Sequence, residues 1–132
     1  MKEDIKKAVY KRIAGSQTWY PSGRAKIRVG QDIVHVRFCS TNRRSPSKYK
    51  FNINPNTLTA DFELWICGDE ETYFLIPIEI IKEIYRDPDT YQDYHHEGIK
   101  VVSINTDENY VQYARGGKSI DLNPYFRSTL NR

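Results

Sequence analysis

The sequence predicts an α/β (α+β) fold, and three observations predict it. An apolar helical stripe opens the chain, four runs of apolar–polar alternation follow, and a short apolar run then passes through a proline into a second helical stripe. A length of 132 residues fits one domain, 1–132, with one continuous core.

In chain order, Ile5, Ala8, Val9 and Ile13 lie on one stripe of a helix over Glu3 to Ala14, and Gly15 is its stop. Ser16 to Gly23 reads as a loop or irregular strand. Gly30-Gln31 fits a two-residue type II′ turn between strands Arg24–Val29 and Asp32–Cys39, with glycine where a positive φ is needed. That turn sets Ile27 opposite Val34 and Ala25 opposite Val36. Ala25, Ile27, Val29, Val34, Val36 and Phe38 then share one face, and Arg24, Lys26, Arg28, His35 and Arg37 share the other. One face is core and the other is cationic.

A polar loop from Thr41 to Ser47 leads to a third strand, Lys48–Ile53, in which Tyr49, Phe51 and Ile53 are the inward positions. After Asn54-Pro55-Asn56, a fourth strand alternates Phe62, Leu64 and Ile66 with Asp61, Glu63 and Trp65. Tyr73 to Ile76 is a buried strand, and Pro77 opens a helix through Tyr85 that buries Ile80, Ile81 and Ile84. The long polar connection from Arg86 to Gly98 has the length of a functional or mobile loop. Ile99–Ile104 and Tyr110–Ala114 form a C-terminal β-hairpin, and Asn123-Pro124 resembles the cap and first residue of a terminal helix.

No apolar run of signal-peptide length opens the chain, and none approaches the roughly 20 residues that span a bilayer, so a soluble cytoplasmic protein without a membrane partner is expected. Cys39 and Cys67 sit in apolar strands and read as small buried hydrophobes.

The net charge of +3 conceals an uneven distribution. From Arg24 to Lys50 there are eight Lys or Arg residues against one acid, Asp32, whereas from Phe51 onward there are seven basic and fourteen acidic residues. Phosphate oxygens call for several donors in one plane, and an alternating strand supplies them at intervals of about 6 to 7 Å. Arg24, Lys26, Arg28 and Arg37, extended by Arg43, Arg44, Lys48 and Lys50, are therefore the candidate contacts to a DNA or RNA backbone. Trp19, Tyr20 and Tyr49 are interleaved with them, Tyr49 at a core position.

Other chemistry has weaker support. His95-His96 with Asp93 and Glu97 lacks a third ligand at a defined spacing, so no metal site is assigned and the segment reads as surface loop. No Gly-x-Ser-x-Gly elbow and no glycine-rich phosphate loop occur.

The order helix, hairpin, basic loop, Tyr49-x-Phe51-x-Ile53, Ala60-Asp61-Phe62-Glu63-Leu64-Trp65-Ile66 and Tyr73-Phe74-Leu75-Ile76-Pro77 resembles the PD-(D/E)XK, restriction-endonuclease-like nucleases, in particular their small intron-encoded homing-endonuclease branch. The resemblance runs from about Lys2 to Tyr85 and implies a restriction-endonuclease-like sheet. Val34-His35-Val36-Arg37 occupies the place of that family's catalytic tripeptide. The family holds a divalent metal with an acid on the first hairpin strand and an acid or amide two residues before a lysine. Here the first strand carries no acid, His35 stands in the second place, and Arg37, always charged, does not shuttle protons.

The resemblance thus implies a member with lost or rewired catalysis: a nucleic-acid-binding domain, for DNA before RNA, without a cofactor. One alternative is a Mg²⁺-dependent endonuclease with a shifted site drawn from His35, Arg37, Asp32 and Asp61, or with Glu63 as the incoming acid. Another is a protein-binding or homodimerising accessory domain that uses the tyrosine-rich segment from Tyr85 to Tyr94.

Overall fold

The computed structural model describes residues 1–130, an α+β arrangement of two sheets with helix α1 at the start and helix α2 directly after the last strand of the first sheet. Helix α1 (Lys2–Ala14) buries Val9, Ile13 and Ala14; Glu3 and Asp4 in its first turn and Lys11 and Arg12 in its last oppose its dipole favourably. Gly15, at φ 62°, ends it.

The first sheet contains β1 (Trp19–Pro21), β2 (Lys26–Val29), β3 (Asp32–Cys39), β5 (Phe62–Cys67) and β6 (Tyr73–Pro77), in the order β1-β2-β3-β5-β6. It is mixed: β3 and β5 are parallel, and the other pairs are antiparallel. The turn at Gly30-Gln31 forms as expected, with Gly30 at φ 59° and Ile27 opposite Val34. Strand β2 starts only at Lys26. Ala25, at φ 55°, is an exposed turn residue and not a core one, although its carbonyl still accepts the Val36 N–H at 2.8 Å.

Parallel β3 and β5 require a crossover, and this chain makes it with a strand of the other sheet. Strand β4 (Lys48–Ile53) leaves the hairpin's sheet and pairs with β7 (Lys100–Asn105), followed by β8 (Tyr110–Ala114) and β9 (Lys118–Asp121), in the antiparallel order β4-β7-β8-β9. The expected C-terminal hairpin is β7–β8, widened by a strand on each side. Asn123-Pro124 opens a single 3₁₀ turn, Asn123–Tyr125, and not a terminal helix. Phe126 beyond it takes up extended backbone and bridges to Phe74, which draws the chain back along β6.

The first sheet lies between two apolar layers. On one side α1 covers Ile27, Val29, Val34, Val36, Leu64, Ile66 and Leu75. On the other, Trp65, Cys67, Phe74 and Ile76 meet Tyr49, Phe51, Ile53, Val102 and Ile104 of the second sheet together with Ile78, Ile81 and Ile84 of α2 (Ile78–Arg86); Ile80 is only half-buried. Phe51 and Trp65 stack across the two sheets, with centroids 5.0 Å apart and ring planes at 5°. Such a pair adds about 0.5–1.5 kcal/mol beyond the area it buries.

The connection after α2 is tied to the second sheet and does not hang free. Thr90 is buried with its hydroxyl on the Ile84 carbonyl, and Tyr91 N–H donates to the Tyr113 carbonyl at 3.0 Å. Among the described residues no helix is long and apolar enough to cross a membrane.

Candidate nucleic-acid interface

Residues paired across neighbouring strands share a face, so the registers fix what lies on the side of the first sheet turned away from α1. Tyr20 pairs with Arg28, Lys26 with His35, His35 with Glu63, and Arg37 with Trp65. The face therefore runs from polar and basic on β1, β2 and β3 to apolar on β5 and β6. The second sheet covers its apolar part. Its basic part stays open: Lys26, Arg28 and Arg37 are half-buried, Arg24 is exposed, and Tyr20 is 50% exposed.

Tyr20 is thus the aromatic residue available on this face. Trp19, across the pleat, packs edge-on against Tyr10, and Tyr49 is in the core as its strand position requires. Arg43 and Arg44 are exposed on the loop between β3 and β4, at the Cys39 end of β3. Lys48 and Lys50 are exposed as well, but the period of β4 places them on the outer face of the second sheet and not on the hairpin face. Between the two sheets a cleft of about 220 Å³ is lined by Arg37 of β3 and Asn52 of β4, with Asn54, His96 and Ile99. Lys50 instead borders a groove of about 790 Å³ beneath the Pro88–His95 connection.

His35 departs from the expected cationic surface. It is 3% exposed, and Nδ1 lies 2.9 and 3.1 Å from the two carboxylate oxygens of Glu63, which is fully buried. Trp65 Nε1 donates to Glu63 Oε2 at 3.0 Å, and the Thr57 hydroxyl reaches Oε1 at 3.4 Å. This carboxylate is fully engaged by the protein. The available signal in the sequence is a carboxylate and an indole two residues apart on one strand face, a pairing that suits burial better than solvent.

Asp32 and Asp61 do not join His35. Asp61 is exposed and accepts the Ile33 N–H at 2.8 Å, which fastens the start of β3 to the approach of β5. Asp32 lies across the pleat, on the side of Val34. A Mg²⁺ ion takes near-octahedral oxygen ligands and keeps several waters, and a sealed carboxylate held by an imidazole and an indole does not fit it. Among the described residues no three His, Cys, Asp or Glu side chains are grouped to hold a metal ion.

The loop histidines separate. His95 borders the larger groove, whereas His96 borders the Arg37 cleft with its Nδ1 3.4 Å from Asp93 Oδ2. The Asp93 carboxyl is held below its ordinary value, chiefly by the hydrogen bond from His95 N–H. Cys39 and Cys67 are register partners on β3 and β5, both free thiols, the first half-buried and the second buried.

No family model, curated protein or solved structure matches this chain.

Proposed function

We propose that this domain binds the sugar–phosphate backbone of DNA or RNA through the open half of the first sheet, without catalysing its cleavage. The observation that carries this reading is the grouping of Lys26, Arg28 and Tyr20 on the uncovered side of β1 and β2, with Arg37 half-buried beside them on β3 and Arg24 and the Arg43-Arg44 loop exposed. Glu63, the carboxylate in register with His35, is fully buried and held by His35 and Trp65, so it is not presented on the open face. The cations supply a salt-dependent affinity indifferent to sequence, and Tyr20 offers a ring on which an unpaired base stacks.

On this reading the chain is a restriction-endonuclease-like domain of PD-(D/E)XK type in which His35 and Arg37 replace the metal-binding and proton-shuttling residues. The triple substitution Arg24→Gln, Lys26→Gln, Arg28→Gln tests it in a salt titration of binding to a short duplex and a single strand. The log–log slope should fall by about one for each phosphate that the protein no longer neutralises, with the melting curve unchanged. Unaltered affinity and slope would exclude this face, and metal-dependent nicking by purified protein that is lost in His35→Ala would restore the endonuclease alternative.

A further inference from the structure

We infer that the cleft between the two sheets, lined by Arg37, Asn52, Asn54 and His96, is a binding site for a single phosphate group, either free or at the end of a nucleic-acid strand. Four hydrogen-bonding side chains line it, none of them acidic, with Ile99 as the apolar wall. Its volume of about 220 Å³ exceeds several times the roughly 30 Å³ share of one liquid water, which is room for a tetrahedral oxyanion and part of its hydration.

The state of Arg37 points to an anion. Arg37 is half-buried, and its Nε is buried with no hydrogen-bond partner among the described residues. The Nε–H is closed off from water, so what Arg37 offers an anion in the cleft is its charge and the remaining N–H groups of its guanidinium. Glu63, on the neighbouring strand, is already held by His35 and Trp65.

The two asparagines add amide donors. Asn54 Oδ1 accepts the Asn56 N–H at 2.9 Å, so the remaining end of its amide is the Nδ2 donor. Asn52 is exposed on β4, and Lys50, two residues earlier on the same face, adds positive charge along the strand. His96 Nδ1 faces Asp93 Oδ2 at 3.4 Å, and in the neutral ring so bonded Nε2 carries no proton, so His96 lines the cleft without donating to the anion. Asp93 contacts His96 without lining the cleft, and the cationic side chain among the lining residues is Arg37.

The site rests on the cleft and not on the nucleic-acid reading, and the test separates the two. Full-length protein is titrated with inorganic phosphate while the side-chain amide signals of Asn52 and Asn54 and the ring signals of His96 are followed by NMR. Saturable shifts of these signals are expected, with affinity lowered at least about tenfold by Arg37→Gln and by Asn52→Asp, which sets a carboxylate at the rim of the cleft. Lys11→Gln, on helix α1 across the first sheet, should leave phosphate affinity unchanged. Oligonucleotides with and without a 5′-phosphate then distinguish the sources: tighter binding of the phosphorylated strand, competed by inorganic phosphate, assigns the site to strand ends. Phosphate binding with no binding of either oligonucleotide supports a free-phosphate site and removes the nucleic-acid proposal. Absence of saturable shifts in wild type, or retention of wild-type phosphate affinity in both Arg37→Gln and Asn52→Asp, overturns the inference.

Discussion

His35 Nδ1 lies 2.9 Å from Glu63 Oε1 on the parallel strand beside it, and both side chains are sealed between the two sheets. A carboxylate in that position must be matched, and two protein donors, His35 and Trp65, converge on it. Glu63→Ala strands the imidazole and the indole N–H together, and breaking a buried pair in this way costs about 3–5 kcal/mol. Glu63→Gln keeps an acceptor and should cost less. The double substitution His35→Leu, Glu63→Leu, which leaves no unpaired ion, should recover most of the loss. Urea unfolding checks the order, and a Glu63→Ala protein as stable as wild type would show that the pair carries no weight in the fold.

Legibility in the sequence ends where a pattern tells that a face is buried without telling what buries it. Gly30-Gln31 sets the hairpin register because a two-residue turn leaves a single pairing, and Ile27 does face Val34. The alternation of Tyr49, Phe51 and Ile53 is equally satisfied by either sheet, so the transfer of β4 to the second sheet has no local signature. The burial of His35 escapes the sequence for the same reason: it does share a face with Lys26 and Arg37, but that face is covered from β5 inward as far as His35 itself. Separation of Lys48 and Lys50 from the hairpin cations follows directly from that strand exchange. Asn123-Pro124 has the chemistry of a helix start, yet the chain after it is drawn to β6 by the Phe74–Phe126 contact, with ring centroids 5.4 Å apart.

The two sides of β3 should answer differently to substitution. Val36 is 4% exposed against α1, and Val36→Asp places an unpaired charge there at a cost of several kcal/mol, enough to unfold a domain of ordinary stability. Arg28→Gln, on the open side of the neighbouring strand, should melt within about 0.5 kcal/mol of wild type. Circular dichroism melts decide it: a stable Val36→Asp protein would mean that the apolar and basic faces are exchanged.

The paired thiols should differ in reactivity although they are register partners. Burial pushes the Cys67 thiol far above its ordinary value, with proximity to Cys39 adding to the shift, whereas Cys39 is partly accessible at the end of β3. Thiolate is the reacting form. Iodoacetamide on the native protein should therefore modify Cys39 and leave Cys67 untouched until denaturant is added, as read by peptide mass spectrometry. Modification of Cys67 at an equal rate in the native state would contradict the closed packing of β5.

Acid should loosen the connection between α2 and β7 before the sheets give way. Asp87, at its start, accepts the Asp89 N–H at 2.9 Å and the Lys118 ammonium at 3.0 Å, and Lys118 also reaches Asp89 at 3.1 Å, which clasps the connection to β9. The Asp87 carboxyl is held below its ordinary value, chiefly by the Asp89 N–H and then by Lys118. A carboxyl depressed in the folded state stabilises above its unfolded value of about 3.9, and that contribution is lost as pH falls through the lower folded value. Protection factors of the Tyr91 and Val101 amides, whose N–H groups bond the Tyr113 and Tyr91 carbonyls, should therefore drop below about pH 4 in wild type. In Asp87→Asn they should begin lower and change less over the same interval, because the titrating group has been removed. Equal pH dependence in the two proteins would assign the acid response to other carboxylates and release Asp87 from this role.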